Sequence, residues 1–204
     1  MKTTISILVS LTVLAGCLSA QNWPQAGGPN GNFIVEDATA PSSWSVVQNE
    51  NIAWKTTLPE LGQSSVTIWE DKLFLTINKP VQKNTTLAKD VVAYCCSAID
   101  GSTLWQREIP GIYPLKIASS WGDSSGLPAV TNGKQVAFFN ASGAIESFDM
   151  EGNRIWRREA LSAYRGSPFK IDNALIYVQM NWAPDEKGGY PHPKEELPVS
   201  TWTQ

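Results

Sequence analysis

Three tryptophans, Trp54, Trp105 and Trp156, follow one another at a constant interval of 51 residues, and Gly101 and Gly152 stand four places before the second and third. This interval constrains the fold more than any other feature. A short multi-stranded unit recurring every 40–50 residues or so is how stacked β-sheet repeats are written in sequence. One complete unit runs from Gly126 to Trp156. Apolar runs at 127–130 and 136–140 flank Thr131-Asn132-Gly133-Lys134, a third at 144–149 follows Ala141-Ser142-Gly143, and a fourth opens at Arg154 after Met150-Glu151-Gly152-Asn153. Strands separated by Gly- and Asn-bearing turns of this length predict an antiparallel meander. In Gln135 to Phe139, and again in Leu175 to Val178, both alternating sets of side chains are apolar, so these sheets are expected to be covered on both faces. The fold class expected is therefore all-β, a β-propeller of four-stranded antiparallel blades. A β-sandwich, which also stacks sheets, is the rival.

The remaining units fit the same frame. Residues 51–58 are expected to form a strand carrying Trp54 and closing at Pro59; residues 64–69 and 73–79 form a hairpin, 91–99 a third strand and 103–109 a fourth. The pattern restarts near Gly126 and again near Gly166. The count is one closing strand, two full blades and the first hairpin of a third, about two and a half blades. A propeller needs about four blades at least, so residues 21–204 are expected to be a partial set of repeats, the N-terminal part of a longer protein.

Residues 1–20 have the form of an export signal, with Lys2 as a minimal charged region and Ile5 to Gly16 as an apolar stretch. That stretch is short of the roughly 20 residues a bilayer span takes. Two processing routes are open. Leu14-Ala15-Gly16-Cys17 has the form of a lipobox, in which the Cys17 thiol takes the lipid; cleavage after Ala20 would discard Cys17. The expected location is periplasmic or extracellular, with the membrane reached only through that lipid. A net charge of −3 and a pI near 5.2 leave no basic footprint for nucleic acid. Cys95 and Cys96 are neighbours in a strand-like run and should point to opposite faces, as two small apolar fillers of one sheet.

At these residues the chain resembles the pyrroloquinoline-quinone-type (PQQ-like) repeat proteins, whose blades end in Ala-x-Asp-x-x-Thr-Gly-x-x-x-Trp. Ala98-Ile99-Asp100-Gly101-Ser102-Thr103-Leu104-Trp105 keeps the Ala, Asp, Gly and Trp with a shortened turn. Ser147-Phe148-Asp149-Met150-Glu151-Gly152-Asn153-Arg154-Ile155-Trp156 keeps Asp, Gly and Trp. The opening Trp23-Pro24-Gln25 and Gly28-Pro29-Asn30-Gly31, with Ala53-Trp54-Lys55-Thr56, resembles an exported bacterial branch, and the likeness covers about residues 22–181. The resemblance implies that Trp54, Trp105 and Trp156 dock against neighbouring blades, with Asp100, Asp149, Gly101 and Gly152 shaping the turns. It also implies two functions. One is a binding or scaffold module of the cell envelope, as in a lipid-anchored propeller that helps assemble outer-membrane proteins. The other is an alcohol or sugar dehydrogenase using pyrroloquinoline quinone and calcium, in whose relatives a vicinal disulfide like one from Cys95 and Cys96 lies beside the quinone. No set of carboxylates at ligand spacing accompanies the second reading.

Propellers carry binding on their connections. Three are long: residues 80–90, 110–126 and 182–200. Trp121 beside Asp123 offers a stacking face next to a carboxylate, a pairing suited to sugars or small polar ligands; packing of Trp121 under its own loop is the alternative. In the third connection Trp182, Tyr190 and His192, the only histidine, are the candidates. The expected partner is an envelope protein or a small polar ligand, with no catalytic residue assigned.

Overall fold

The computed structural model describes residues 21–35, 41–82, 84–117, 123–159, 169–171 and 174–176. Strands β1 (Thr67–Trp69), β2 (Lys72–Asn78), β4 (Val91–Ser97) and β5 (Thr103–Ile109) form one antiparallel sheet in that order. Strands β7 (Val130–Thr131), β8 (Gln135–Asn140), β9 (Ala144–Asp149) and β10 (Arg154–Glu159) form a second with the same meander order. Two four-stranded units of identical order are two successive blades, as the tryptophan interval predicts. Short β3 (Leu87–Ala88) and β6 (Leu115–Lys116) pair with each other, and β11 (Phe169–Ile171) pairs with β12 (Ala174–Ile176), the first hairpin of the next unit.

The blades stack face to face. Phe74, Val91, Ala93, Cys95, Trp105 and Ile109 of the first meet Val136, Phe138, Ala144 and Phe148 of the second in one buried cluster. The aromatic rings there meet edge-on or tilted at 5.8–6.2 Å between centroids, the arrangement their quadrupoles favour. Cys95 belongs to this cluster and Cys96 to the one on the other side of the sheet, with Ile77, Val92 and Tyr94. Both thiols are free. Burial pushes the Cys95 thiol up to about 12 and raises that of Cys96 too, so both are inert core groups, as the alternation rule requires.

One expected element differs. Residues 51–58 form no strand; they run as an irregular segment, because among the described residues no neighbouring backbone offers them a ladder. The first segment is irregular apart from one bridge to a sheet edge. The backbone of Trp23 exchanges two 2.8 Å hydrogen bonds with Ile68 of β1, and the Pro24 carbonyl accepts from Thr131 N–H of β7 (2.9 Å). Residues 23–24 thus lie along the first strands of both blades. No helix among the described residues is long and apolar enough to cross a membrane.

Candidate functional site

Each blade has two ends. At one end lie the tight turns at residues 70–71, 98–102, 132–134 and 150–153; at the other lie the long connections and the turn at 141–143. We call these the turn rim and the loop rim.

The turn rim holds the docks. The Trp54 indole N–H donates to the Ala98 carbonyl (2.9 Å), and that of Trp105 to the Met150 carbonyl (3.1 Å). The rings lie over Gly101 and Gly152, both at positive φ (+75° and +84°), where an added β-carbon would come within 2.5 and 2.7 Å of the indoles. Each glycine therefore receives the tryptophan of the preceding unit, not the one four residues after it. Trp69 covers Gly133 in the same way, a dock the 51-residue interval does not reveal. Trp156 is partly buried against the far face of the second blade, beside Phe139 and Ile145.

A bulge aims these tryptophans. Leu104 is skipped in the pairing of β5 with β4, and Ile155 in that of β10 with β9. Both skipped residues are exposed, and in β5 the extra residue turns the next side chain, Trp105, toward the second blade.

Asp100 and Asp149 bind their own turns. Asp100 Oδ1 accepts from the N–H and the hydroxyl of Ser102 (3.0 and 2.7 Å). Asp149 accepts from the side chain and the backbone N–H of Asn153 (2.9 and 2.7 Å) and from Glu151 N–H (3.0 Å). These donors favour the charged form and hold both carboxyls below the usual range, the Ser102 N–H first for Asp100 and the Asn153 amide first for Asp149.

The loop rim is built differently. The connections from β2 to β4 and from β5 to β7 are zipped together by β3 and β6, with Leu87 opposite Lys116 and Ala88 opposite Leu115. Beneath that ladder lies a bracket of buried polar groups. Asn78 Nδ2 donates to Asp123 Oδ2 (2.8 Å), while Asp123 Oδ1 accepts from the N–H and hydroxyl of Ser125 (2.9 and 2.6 Å). Asp123 N–H donates to Gln63 Oε1 (3.0 Å), and Gln63 N–H to the Ser125 hydroxyl (3.0 Å). Beside it the Asn140 amide donates to the carbonyls of Lys89 and Ile109 (2.7 and 2.9 Å), and the Ser124 hydroxyl bonds that of Ser142 (2.7 Å). Asp123 is 2% exposed. It is thus no surface ligand of its loop but the post that fastens the loop to the first blade. The sequence gives no sign of this, because its partners Asn78 and Gln63 lie 45 and 60 positions away. Trp121, Trp182, Tyr190, His192 and Cys17 lie outside the described residues.

A second bracket closes the blade interface. Glu146 is 1% exposed and ion-paired with Arg157, whose guanidinium also reaches the Pro110 carbonyl of the first blade (2.8 Å); Arg154 stands 3.7 Å away. From the turn rim Arg107 Nε donates to the Gly152 carbonyl (2.7 Å), so each blade grips the other with an arginine. Among the described residues no three His, Cys, Asp or Glu side chains are grouped so as to hold a metal ion.

No family model matches the chain, and no curated protein matches it. Solved structures do. A europium-containing methanol dehydrogenase matches with a TM-score of 0.39 at 8% identity, over 58% of this chain and 21% of that one. The quinohemoprotein alcohol dehydrogenase ADHIIG from Pseudomonas putida HK5 matches with a TM-score of 0.39 at 15% identity, over 63% and 18%. BamB from Moraxella catarrhalis matches with a TM-score of 0.29 at 17% identity, over 62% and 46%. The chain spans about a fifth of the length of the two dehydrogenases and less than half that of BamB. Its own architecture, two four-stranded antiparallel blades of the same order joined by tryptophans seated on the turn glycines of the next unit, is that of consecutive blades of an all-β propeller.

Proposed function

We propose that this chain is part of an exported β-propeller that binds an envelope protein or a small polar ligand at its loop rim. The observation that carries the reading is the zipped pair of long connections. Residues 84–90 and 110–117 are joined by the β3–β6 ladder, and the connection to β7 is fastened to β2 by the Asn78–Asp123–Ser125 bracket. Connections fixed in this way present a surface already in its bound shape, which lowers the entropy cost of binding. Lys89 and Lys116 are exposed on it.

A photo-crosslinking residue placed at Lys116 in the full-length protein in cells should give one discrete adduct, while the same residue at Lys134 on the turn rim should give none. Equal labelling from both positions, or no adduct from either, removes the reading. Reconstitution tests the alternative class: adding pyrroloquinoline quinone with calcium should give no dye reduction with alcohols or sugars, and turnover would replace the binding reading with a dehydrogenase. Mass spectrometry of the mature N-terminus reports export and its route, a lipidated Cys17 or a free Gln21; an intact residue 1 would remove export.

A further inference from the structure

The chain enters the fold at the turn rim. Glu70 N–H donates to Asn22 Oδ1 (2.6 Å), and the backbone of Trp23 is bridged to Ile68, so residues 22 and 23 are pinned beside the turn at 70–71. Asn22 stands five positions after Cys17, and five residues reach about 17 Å at full extension. The loop rim lies about 20 Å away, the length of a seven-residue strand such as Lys72–Asn78, with its connections beyond that. A lipid carried on Cys17 therefore holds the turn rim close to the bilayer, and the tether is too short for the loop rim to be the face laid on it. The turn rim also carries exposed apolar side chains that no dock uses. Ile99, 75% exposed, stands in the turn at 98–102, and Leu104 and Ile155, the residues skipped at the two bulges, come just after their turns. Beside Trp54, the short hairpin closed by Ser45 and Glu50 presents Val46 and Val47, the latter 97% exposed, and Lys55 Nζ donates to the Val46 carbonyl (2.6 Å). On the loop rim Leu115, Leu127 and Ala141 are buried, and Leu61 and Val81 are exposed.

We propose that the turn rim is a lipid-docking face. With Cys17 acylated, the blades stand on a phospholipid surface through Ile99, Leu104, Ile155 and the Val46–Val47 tip, and present the loop rim away from it. The lipid brings the rim to the bilayer, and burial of these apolar side chains at the headgroup boundary fixes its orientation. Glu70, Asp71, Asp100 and Glu151 are exposed on the same rim, so it matches a zwitterionic surface and is repelled by an anionic one. The proposal rests on the exported, Cys17-lipidated form and not on what the loop rim binds.

Collisional quenching in vesicles tests it. Full-length protein retaining its anchor is reconstituted in phosphatidylcholine vesicles that contain a spin-labelled lipid, with a thiol-reactive fluorophore at Ile99→Cys, Ile155→Cys or Lys116→Cys. Cys95 and Cys96 are buried and stay unlabelled. All three positions are exposed, so the variants should melt at the temperature of the unaltered protein. Quenching should be severalfold stronger at Ile99 and Ile155 than at Lys116, and should weaken when anionic lipid is added. Equal quenching on the two rims, a stronger signal at Lys116, no signal at any position, or a gain on anionic vesicles overturns the proposal. Mass spectrometry separates its failure from that of the binding reading: a mature N-terminus at free Gln21 removes the tether and overturns the docking face, while the crosslinked adduct from Lys116 would still stand.

Discussion

Gly31 and Gly152 both hold the left-handed conformation, at φ +68° and +84°, yet only Gly152 has an indole above it. Alanine at Gly31 meets nothing within 4 Å, so its cost is the backbone term alone, about 1–2 kcal/mol. Alanine at Gly152 adds a collision with Trp105 and should cost about 1–3 kcal/mol more. Urea denaturation of the two variants measures the difference, and equal losses would show that the glycine is needed only for its turn. Asp149 makes a pH prediction. Its carboxyl is held below the ordinary value near 3.8 by the Asn153 side chain and backbone, so the folded state binds its proton less readily than the unfolded chain. The stabilisation is present above the unfolded value and is lost as pH falls through the folded one. Asp149→Asn should therefore lower stability in the neutral range, where the carboxylate contributes, and flatten the profile below about pH 4, where the wild-type advantage is lost anyway. A profile unchanged in acid would remove the carboxylate from this role.

Between elements, the most exposed point of the design is the ion pair linking β9 to β10. Glu146 is buried, and removing Arg157 leaves it only the more distant, exposed Arg154. Arg157→Met should destabilise the protein by about 3–5 kcal/mol, while the double change Glu146→Leu with Arg157→Met should cost much less. Equal losses in single and double variants would mean that Arg157 acts through the Pro110 carbonyl instead. Trp105→Ala should cost a similar 3–5 kcal/mol or so, as for other large buried aromatics. How much of this was legible follows from where each constraint resides. Asp100, Gly101, Asp149 and Gly152 answer demands of their own turns, so they stand out in sequence. The bulges at Leu104 and Ile155 do not, because an extra residue shows only against a paired strand. The burial of Glu146 is equally silent: a glutamate reads as surface until Arg157 is seen opposite it. Residues 51–58 read as a strand because their side chains follow the pattern of one, but a strand also needs a neighbour.

At the scale of the whole molecule, the loop rim depends on Asp123. Alanine there orphans Asn78 Nδ2 and the two donors of Ser125, at about 1–3 kcal/mol for each donor left buried without a partner. The expected result is a lower urea midpoint, together with faster hydrogen exchange in residues 110–117 than in the sheets. If the loop exchanged no faster, the bracket would not be what holds it. The sequence marked this connection by its length and by Trp121 beside Asp123, but not the inward turn of the carboxylate. The turn rim carries a consequence for synthesis. A nascent chain that has delivered Trp105 must wait until Gly152 has left the ribosome before that ring has a seat, and Trp54 waits on Gly101. The first blade thus shields the indole of Trp54 while baring that of Trp105, a relay in which a greasy ring is on show until the next blade is made.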